Sequence, residues 1–342
     1  MSCVSSRCIR VVSRRRSMAV AITLGLLAFP SAVLALLWHD GPAAVVFELG
    51  PVDLHAGANH HAVRQPRPLP TVFAHAGWIR GFDLTIESDE VRPVPREVLH
   101  HVKLIMPDRR DLFSPQMLHL IGAGSETSAL LLPHFLGQRV EVGDSLLFTA
   151  MLHNPTSSTW HGVRIRLRVR YTPRTWPRPI DVRPFFLHVT QPGTPGHYDL
   201  PPGESQTSWT ASPAIAGRIL GIGGHIHRFG TGLRMEDLTT GQQIWDARIE
   251  RDSDGRVTRI PRTYFFTRFG TPIRPDHVYR VTAFYDNPTG DTLREAGMGT
   301  VAGILRPDAS NEWPLIDRDH PVYRFQLLEE WGAHALHTAG QH

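Results

Sequence analysis

The segment GGHIHRFG, Gly223–Gly230, contains two histidines separated by one apolar residue. In a β-strand, side chains at positions i and i+2 point to the same face, so the imidazoles of His225 and His227 can converge on one point. Imidazole is a common ligand of transition metals, and this spacing therefore indicates a candidate metal site. Because the chain has 20 histidines, the pattern needs support from other ligands.

Further candidate ligands lie beside strand-like segments elsewhere in the chain. His100 and His101 stand in VLHHVKLI, His153 closes LLFTAML, and Met298 lies in REAGMGTVAG. Adjacent histidines on a regular strand face opposite sides, so His100 and His101 can share one ion only through a bulge or twist. Otherwise one of them is a core residue and the other a surface residue. Met298 can likewise be a core methionine beside a glycine turn.

The distribution of cysteine limits which ligands a metal could have. Both cysteines, Cys3 and Cys8, lie near the N-terminus, so residues 39–342 contain neither a disulfide nor a thiolate ligand. Any metal in this part of the chain must be held by histidine, methionine or carboxylate.

Short apolar segments between turn signals must position these ligands. In Val163–Tyr171, VRIRLRVRY, arginines alternate with apolar residues, as in a half-buried antiparallel strand. Asp144–Leu152 and His277–Tyr285 also predict strands, and they run into the similar turns HNPTSS and DNPTGD. This weak repeat, with 29 glycines and 28 prolines, predicts an all-β fold of two tandem antiparallel β-sandwiches without a long amphipathic helix.

The N-terminus has the pattern of a targeting segment. Five arginines precede or begin it, and Met18–Trp38 then contains no charged residue. This pattern predicts either an export signal or a membrane anchor through residues 18–38. We therefore expect the rest of the chain to lie outside the cytoplasm, in the periplasm or secreted.

These patterns divide the chain into five predicted parts, with the boundary between sandwiches inside Thr172–Pro184. The parts are a signal peptide or anchor at 1–38, a Pro- and His-rich, loosely structured lead-in at 39–70, an N-terminal β-sandwich at 71–178, a C-terminal β-sandwich at 179–330 and a tail at 331–342.

The charge of the chain argues against a nucleic-acid partner. The sequence pI is about 9.4, but the arginines before residue 38 account for its basic character, and the remainder is close to neutral. Lys103 is the single lysine, which indicates an arginine-rich coding preference rather than a binding patch. The GAGSETS segment lacks the lysine of a phosphate-binding loop.

Five motifs taken together resemble a known family. HHVKLI, GAGSETSALLLP, LLFTAMLHNPT, YDLPPG and GGHIHRFG follow one another in an order similar to that of the copper type II, ascorbate-dependent monooxygenases. This family includes peptidylglycine α-hydroxylating monooxygenase and dopamine β-monooxygenase. The resemblance extends over Phe73–Arg306.

The resemblance implies two jelly-roll-like β-sandwiches, each with one copper, facing each other across a solvent-filled cleft. It assigns His100, His101 and His153 to an electron-transfer copper, and His225 and His227 to an oxygen-binding copper. Met298 is the candidate third ligand of the second copper. The implied reaction is hydroxylation of a C–H bond of a small organic substrate, with O₂ and ascorbate or another one-electron reductant.

Some positions depart from the family and leave alternatives open. Gly223 stands where the peptide-amidating members have a substrate-binding arginine, and no tyrosine is found near Ala302, so a C-terminal glycine peptide is not expected as substrate.

A second hypothesis is an exported copper-binding protein for storage, delivery or electron transfer. A third hypothesis is a metal-free interaction module. His60 and His61, in the lead-in, are interpreted as surface histidines.

Overall fold

The computed structural model describes residues 43–127, 129–173, 177–266, 269–308 and 312–339, and these form mainly β-strands. The elements are β1 (Ala43–Leu54), β2 (Leu69–Val72), β3 (Gly77–Glu87), β4 (Leu99–Arg110), β5 (Met117–Ala123), β6 (Leu130–Leu131), β7 (Leu136–Val140), β8 (Ser145–Leu152), β9 (Trp160–Pro173), β10 (Ile180–Asp181), β11 (Arg183–His188), β12 (Tyr198–Leu200), β13 (Gly203–Ala211), β14 (Gly217–Ile226), β15 (Gly230–Asp237), β16 (Gln242–Arg248), β17 (Glu250–Arg251), β18 (Val257–Arg259), β19 (Thr263–Tyr264), β20 (Thr271–Ile273), β21 (Tyr279–Asn287), β22 (Leu293–Gly297), β23 (Gly299–Pro307) and the helix α1 (Pro321–Ala339).

The first sandwich packs two sheets around one hydrophobic core. One sheet has the strand order β1-β9-β3-β7-β10, with β6 beside β3, and the other has the order β2-β8-β4-β5. In β9 the residues Val163, Ile165 and Leu167 are buried, whereas Arg166 and Arg168 are exposed. The alternation of β9 therefore confirms the strand predicted from VRIRLRVRY.

The second sandwich has the same two-layer construction. Its sheets have the orders β11-β23-β14-β19, with β20 beside β14, and β13-β21-β15-β16. A second core lies between them and includes Phe185, Leu233, Val281 and Leu305. The predicted fold class is thereby confirmed: the described chain is mainly β, with two tandem, largely antiparallel, jelly-roll-like β-sandwiches. Residues from Ala44 onward form one compact unit.

The Asn-Pro-Thr turns repeat the same hydrogen bonds in both sandwiches. Asn154 donates from Nδ2 to the carbonyls of Leu54, His55 and Ser158, at 2.7 to 3.0 Å, and its Oδ1 accepts from Thr156. In the second sandwich, Asn287 Nδ2 donates to three carbonyls and its Oδ1 accepts from a threonine in the same way. Each asparagine thus ties the turn after a core strand to a neighbouring segment.

The prediction of a loosely structured lead-in at 39–70 was wrong for its described part. β1 pairs with β9 at the edge of the first sandwich, and β2 pairs with β8. In β1, Phe47 and Leu49 are buried while Val46 and Glu48 are exposed, so the segment has the period-two pattern of a strand.

The prediction that the chain has no long helix was also wrong. α1 spans 19 residues and covers the first sandwich through Tyr323, Gln326 and Glu330. Gln326 and Glu330 are 2% and 7% exposed, so two polar side chains occupy the buried face of this helix. Because these residues interrupt the apolar periodicity, a pattern search overlooks the helix.

The predicted targeting segment at residues 1–38 lies outside the described residues, as do Cys3 and Cys8. In the part of the chain that the structure describes, no helix is both long and apolar enough to span a membrane.

Candidate metal centre

A cavity of about 1230 Å³ is lined by residues of both sandwiches. His100 and His101 of β4 line it from the first sandwich, and His225, His227 and Met298 line it from the second. We call the group His100, His101, His153, His225 and His227 the inner histidines. The fold therefore brings all five predicted histidine ligands, from three separate segments, to one region.

A bulge in β4 allows the two adjacent histidines to meet. Leu99 pairs with Leu152 of β8 and His101 pairs with Met151, so His100 is an extra residue on its strand. The two Nδ1 atoms of His100 and His101 consequently lie 3.0 Å apart. A nitrogen ligand lies about 2 Å from an ion such as zinc, so two nitrogens of one ion are separated by roughly 3 Å.

The third histidine of the first sandwich follows β8 and faces His100. The ring centroids of His153 and His100 are 5.5 Å apart. His153 Nε2 lies 2.6 Å from the carbonyl oxygen of Glu97, to which it donates. This hydrogen bond sets the tautomer, and it leaves Nδ1 of His153 with a free lone pair.

His225 and His227 lie on one face, as their spacing predicts. Their ring centroids are 5.2 Å apart. His225 Nδ1 lies 2.7 Å from Oε1 of Glu126, a carboxylate of the first sandwich that is 7% exposed. His227 Nδ1 lies 3.2 Å from the carbonyl oxygen of Ala296. In both rings Nδ1 is engaged, so Nε2 is the nitrogen that remains for a metal.

Met298 connects β22 to β23 beside His227. Its backbone N–H donates to the Tyr285 hydroxyl at 2.9 Å, and its carbonyl accepts from that hydroxyl and from the His227 N–H. Tyr285 is 2% exposed, so these bonds hold the methionine backbone rigidly against the core. The thioether side chain lines the cavity near Gly196.

Burial keeps most of the inner histidines neutral. It lowers the pKa of His100 to about 2 and that of His227 to about 3, with neighbouring histidines adding to the effect. The pKa of His101 is also held well below its usual value, mainly by burial. His225 is the exception, because the Glu126 carboxylate outweighs burial and raises its pKa. Neutral imidazole is the form that binds metals.

The two predicted ligand sets are in direct contact. The ring centroids of His100 and His227 lie 5.2 Å apart, at an interplanar angle of 88°. No gap therefore separates these histidines of the first sandwich from those of the second. The cavity lies beside them.

Sequence reasoning missed several charged residues at this cavity. Glu126 belongs to the GAGSETS motif, and no local pattern indicates its partner His225, which lies 99 residues away. Glu295 faces His60 and His61, and these three are the one group of described His, Cys, Asp and Glu residues whose ligand atoms all lie within 4.8 Å of one another. A Cβ atom on Gly223 would lie 3.3 Å from Cγ of Arg262, so the arginine that precedes β19 covers this glycine.

Comparisons with known proteins give low similarities. No protein-family model matches the chain, and no curated protein matches it. Among solved structures, it is similar to PNGase F, a glycosylasparaginase from Flavobacterium meningosepticum, with a TM-score of 0.37 and 9% identity over 78% of this chain and 96% of that chain. A peptide-N(4)-(N-acetyl-β-D-glucosaminyl)asparagine amidase gives a TM-score of 0.40 and 8% identity, covering 80% of this chain and 100% of that one. Broad Bean Stain Virus gives a TM-score of 0.30 and 10% identity, covering 78% and 89%. These similarities carry no argument about the site.

Proposed function

We propose that this chain is an exported copper-dependent monooxygenase that hydroxylates a C–H bond of a small organic substrate. O₂ and a one-electron reductant such as ascorbate are its co-substrates. The observation that carries the proposal is the cluster of inner histidines, four of which line a cavity of about 1230 Å³ together with Met298.

The donor types in the cluster, imidazole nitrogen and thioether sulfur, are ones that copper accepts. His153 has Nδ1 available, and Nδ1 of His100 and of His101 lie at a separation suited to one ion. In the second sandwich, Nε2 of His225 and of His227 are available, and Met298 adds a thioether. An all-imidazole set and an imidazole–thioether set are both copper ligands, the second being softer. Two coppers per chain are therefore proposed.

Copper bound at these residues would supply one-electron redox chemistry and O₂ activation. The residues of the chain orient the ligands around it. Glu126 holds His225 through Nδ1, and the Ala296 carbonyl holds His227 in the same way. Such partners fix the ring orientation and raise the basicity of the ligating nitrogen. The Tyr285 hydroxyl fixes the backbone of Met298 and of His227 together.

The cavity offers a site for an organic substrate beside the inner histidines. Apolar side chains that include Ile79, Phe82, Leu120 and Ile222 line it. Such a surface excludes water and binds a hydrocarbon portion of a substrate, as apolar ligand pockets do. This arrangement supports an enzyme that acts on a C–H bond.

A second candidate function is copper storage, delivery or electron transfer without oxygenase activity. The contact between His100 and His227, at 5.2 Å between ring centroids, favours it. Histidines packed in this way leave no room for a substrate between the two ligand sets. A carrier protein does not need such a space.

Copper content and O₂ consumption distinguish these candidates. We would load the full-length chain with copper, measure copper per chain, and record O₂ consumption with ascorbate. His225→Ala is the test variant, and His161→Ala, which alters an exposed histidine of the first sandwich, is the control. Two coppers that fall to one in His225→Ala, with loss of O₂ consumption in that variant alone, support the monooxygenase.

Other outcomes separate the alternatives. Copper binding without ascorbate-dependent O₂ consumption supports the carrier. A chain that binds no copper contradicts both candidates.

A further inference from the structure

A second group of metal-binding side chains lies at the rim of the cavity, outside the inner histidines. His60 and His61 come from the turn between β1 and β2, and Glu295 comes from β22 of the second sandwich. One ligand atom from each of the three lies within 4.8 Å of the others. We call this group, His60, His61 and Glu295, the rim site.

The turn that carries the two histidines is held in place from the first sandwich. Asn59 Oδ1 accepts from the backbone N–H groups of His61 and Ala62, at 3.1 and 2.9 Å. Gln65 Nε2 donates to the His60 carbonyl at 2.8 Å and to the Leu152 carbonyl at 2.9 Å. These bonds fix the backbone, so that the His60 and His61 rings lie together with their centroids 3.9 Å apart.

The carboxylate is directed at this turn by an unusual backbone conformation. Glu295 has a φ of 52°, in the left-handed region that residues other than glycine rarely adopt. Its backbone N–H donates to Asp199 Oδ1 at 2.9 Å, which stabilises this conformation. Glu295 Oε2 lies 3.2 Å from His61 Nε2, and Oε1 lies 3.5 Å from His197 Nε2.

We propose that the rim site binds a divalent transition-metal ion of the Zn²⁺ or Cu²⁺ class. Two imidazoles and one carboxylate are a ligand set that suits these ions and leaves a fourth position open. Its ligands come from both sandwiches, so the bound ion would connect the two across the mouth of the cavity. The site differs from the inner histidines in its residues, although the His60 and His100 ring centroids are 5.3 Å apart.

The exposure of the rim site agrees with a site that takes its ion directly from solvent. The side chains of His61 and Glu295 are 67% and 47% exposed. Substitutions at these two positions remove no core packing, and the variants are therefore expected to fold.

Zn²⁺ titration in a background without the inner sites tests the proposal. His101→Ala/His225→Ala removes one ligand from each inner set, and calorimetry then measures Zn²⁺ binding to the full-length, chelator-treated chain. We expect one tight Zn²⁺ in this background. Adding Glu295→Gln or His61→Ala should weaken it by more than about 10-fold, since even outer partners of metal ligands contribute that much.

His161→Ala in the same background is the matched control. It also removes an exposed histidine near a carboxylate, Asp53, at 3.6 Å, but no third ligand among the described residues joins this pair. A Zn²⁺ affinity that is the same in Glu295→Gln, His61→Ala and His161→Ala would overturn the proposal, leaving an ion pair alone at the rim.

Electron paramagnetic resonance of one equivalent of Cu²⁺ gives a second, independent readout. In the same background we expect nitrogen hyperfine structure from the imidazoles, with one nitrogen coupling fewer in His61→Ala. An unchanged spectrum would also overturn the proposal. Because each inner set lacks one ligand in these experiments and the compared variants differ only at the rim, their result does not depend on whether the chain is a monooxygenase.

Discussion

The carboxylate of Glu126 lies 2.7 Å from Nδ1 of His225, and this contact joins the first sandwich to the second. Burial alone would raise the pKa of Glu126, but the charge and hydrogen bond of His225 outweigh it and lower the pKa to about 2. Glu126 is therefore an ionised, buried carboxylate, and it holds one imidazole of the candidate metal centre in a fixed orientation.

Replacing this carboxylate should weaken metal binding without removing a ligand. In Glu126→Gln, the affinity for copper at His225 and His227 should fall by roughly 10- to 100-fold. Competition with a copper chelator of known affinity measures the change. Glu250→Gln is the control, because Glu250 is an exposed carboxylate paired with Arg259. Equal affinities in the two variants would contradict the orienting role of Glu126.

The paired asparagine turns should stabilise the two sandwiches to a similar extent. Asn154→Ala and Asn287→Ala should each lower the free energy of unfolding by roughly 2 to 4 kcal/mol, because each leaves buried carbonyl groups without a donor. Both asparagines are almost fully buried, at 0% and 1% exposed. Urea denaturation measures the loss, and Asn59→Ala, in an exposed turn, should cost much less. A large loss at only one of the two positions would argue against an equivalent role.

Asp111 should make the stability of the protein depend on pH. It is 1% exposed, and burial raises its pKa from 3.8 to about 7, against the opposing effects of backbone N–H groups and Arg110. At a pH between these two pKa values, Asp111 is protonated in the folded state and ionised in the unfolded state. Stability therefore falls as pH rises from about 4 to 7. Over this pH range the free energy of unfolding should fall by on the order of 4 kcal/mol.

Asp111→Asn should remove this pH dependence. The asparagine carbonyl can still accept from the Phe113 N–H, the 3.1 Å bond that Asp111 Oδ1 makes. The melting temperature of the variant should exceed that of the wild type at pH 8 and approach it at acidic pH. Asp246→Asn, at an exposed pair with Arg234, is the control. Parallel melting curves across the pH range would refute the prediction.

The buried ion pair between Lys103 and Glu330 should control the docking of α1. Lys103 Nζ lies 2.7 Å from Glu330 Oε1, and the Thr149 hydroxyl donates to Glu330 Oε2 at 3.0 Å. Lys103→Met leaves the Glu330 charge buried without its partner. This substitution should lower the free energy of unfolding by about 3 to 5 kcal/mol.

Changing both partners tests whether the cost arises from the unpaired charge. Lys103→Met/Glu330→Leu should recover most of the stability lost in Lys103→Met, since an apolar pair of similar volume replaces a buried ion pair at little cost. Urea denaturation of the two single variants and the double variant measures this coupling. Additive losses would show that the two residues act independently.

Much of the fold could be predicted from local sequence patterns. The alternation in β9 and the two Asn-Pro-Thr turns indicated antiparallel strands and two related sandwiches, because each signal depends on a few adjacent residues. The helix α1 could not be predicted in the same way. Its buried face carries Gln326 and Glu330, whose partners Met117, Lys103 and Thr149 are far away in the sequence.

The sequence by itself determined which side chains are candidate metal ligands and that His225 and His227 share a face, since a strand places every second side chain on one side. Only the tertiary structure decided where they meet. The extra residue at His100 depends on the pairing of β4 with β8, and the contacts of Glu126 with His225 and of His61 with Glu295 join segments 99 and 234 residues apart. Periodicity is encoded within a few residues, whereas convergence of side chains depends on how distant strands pack.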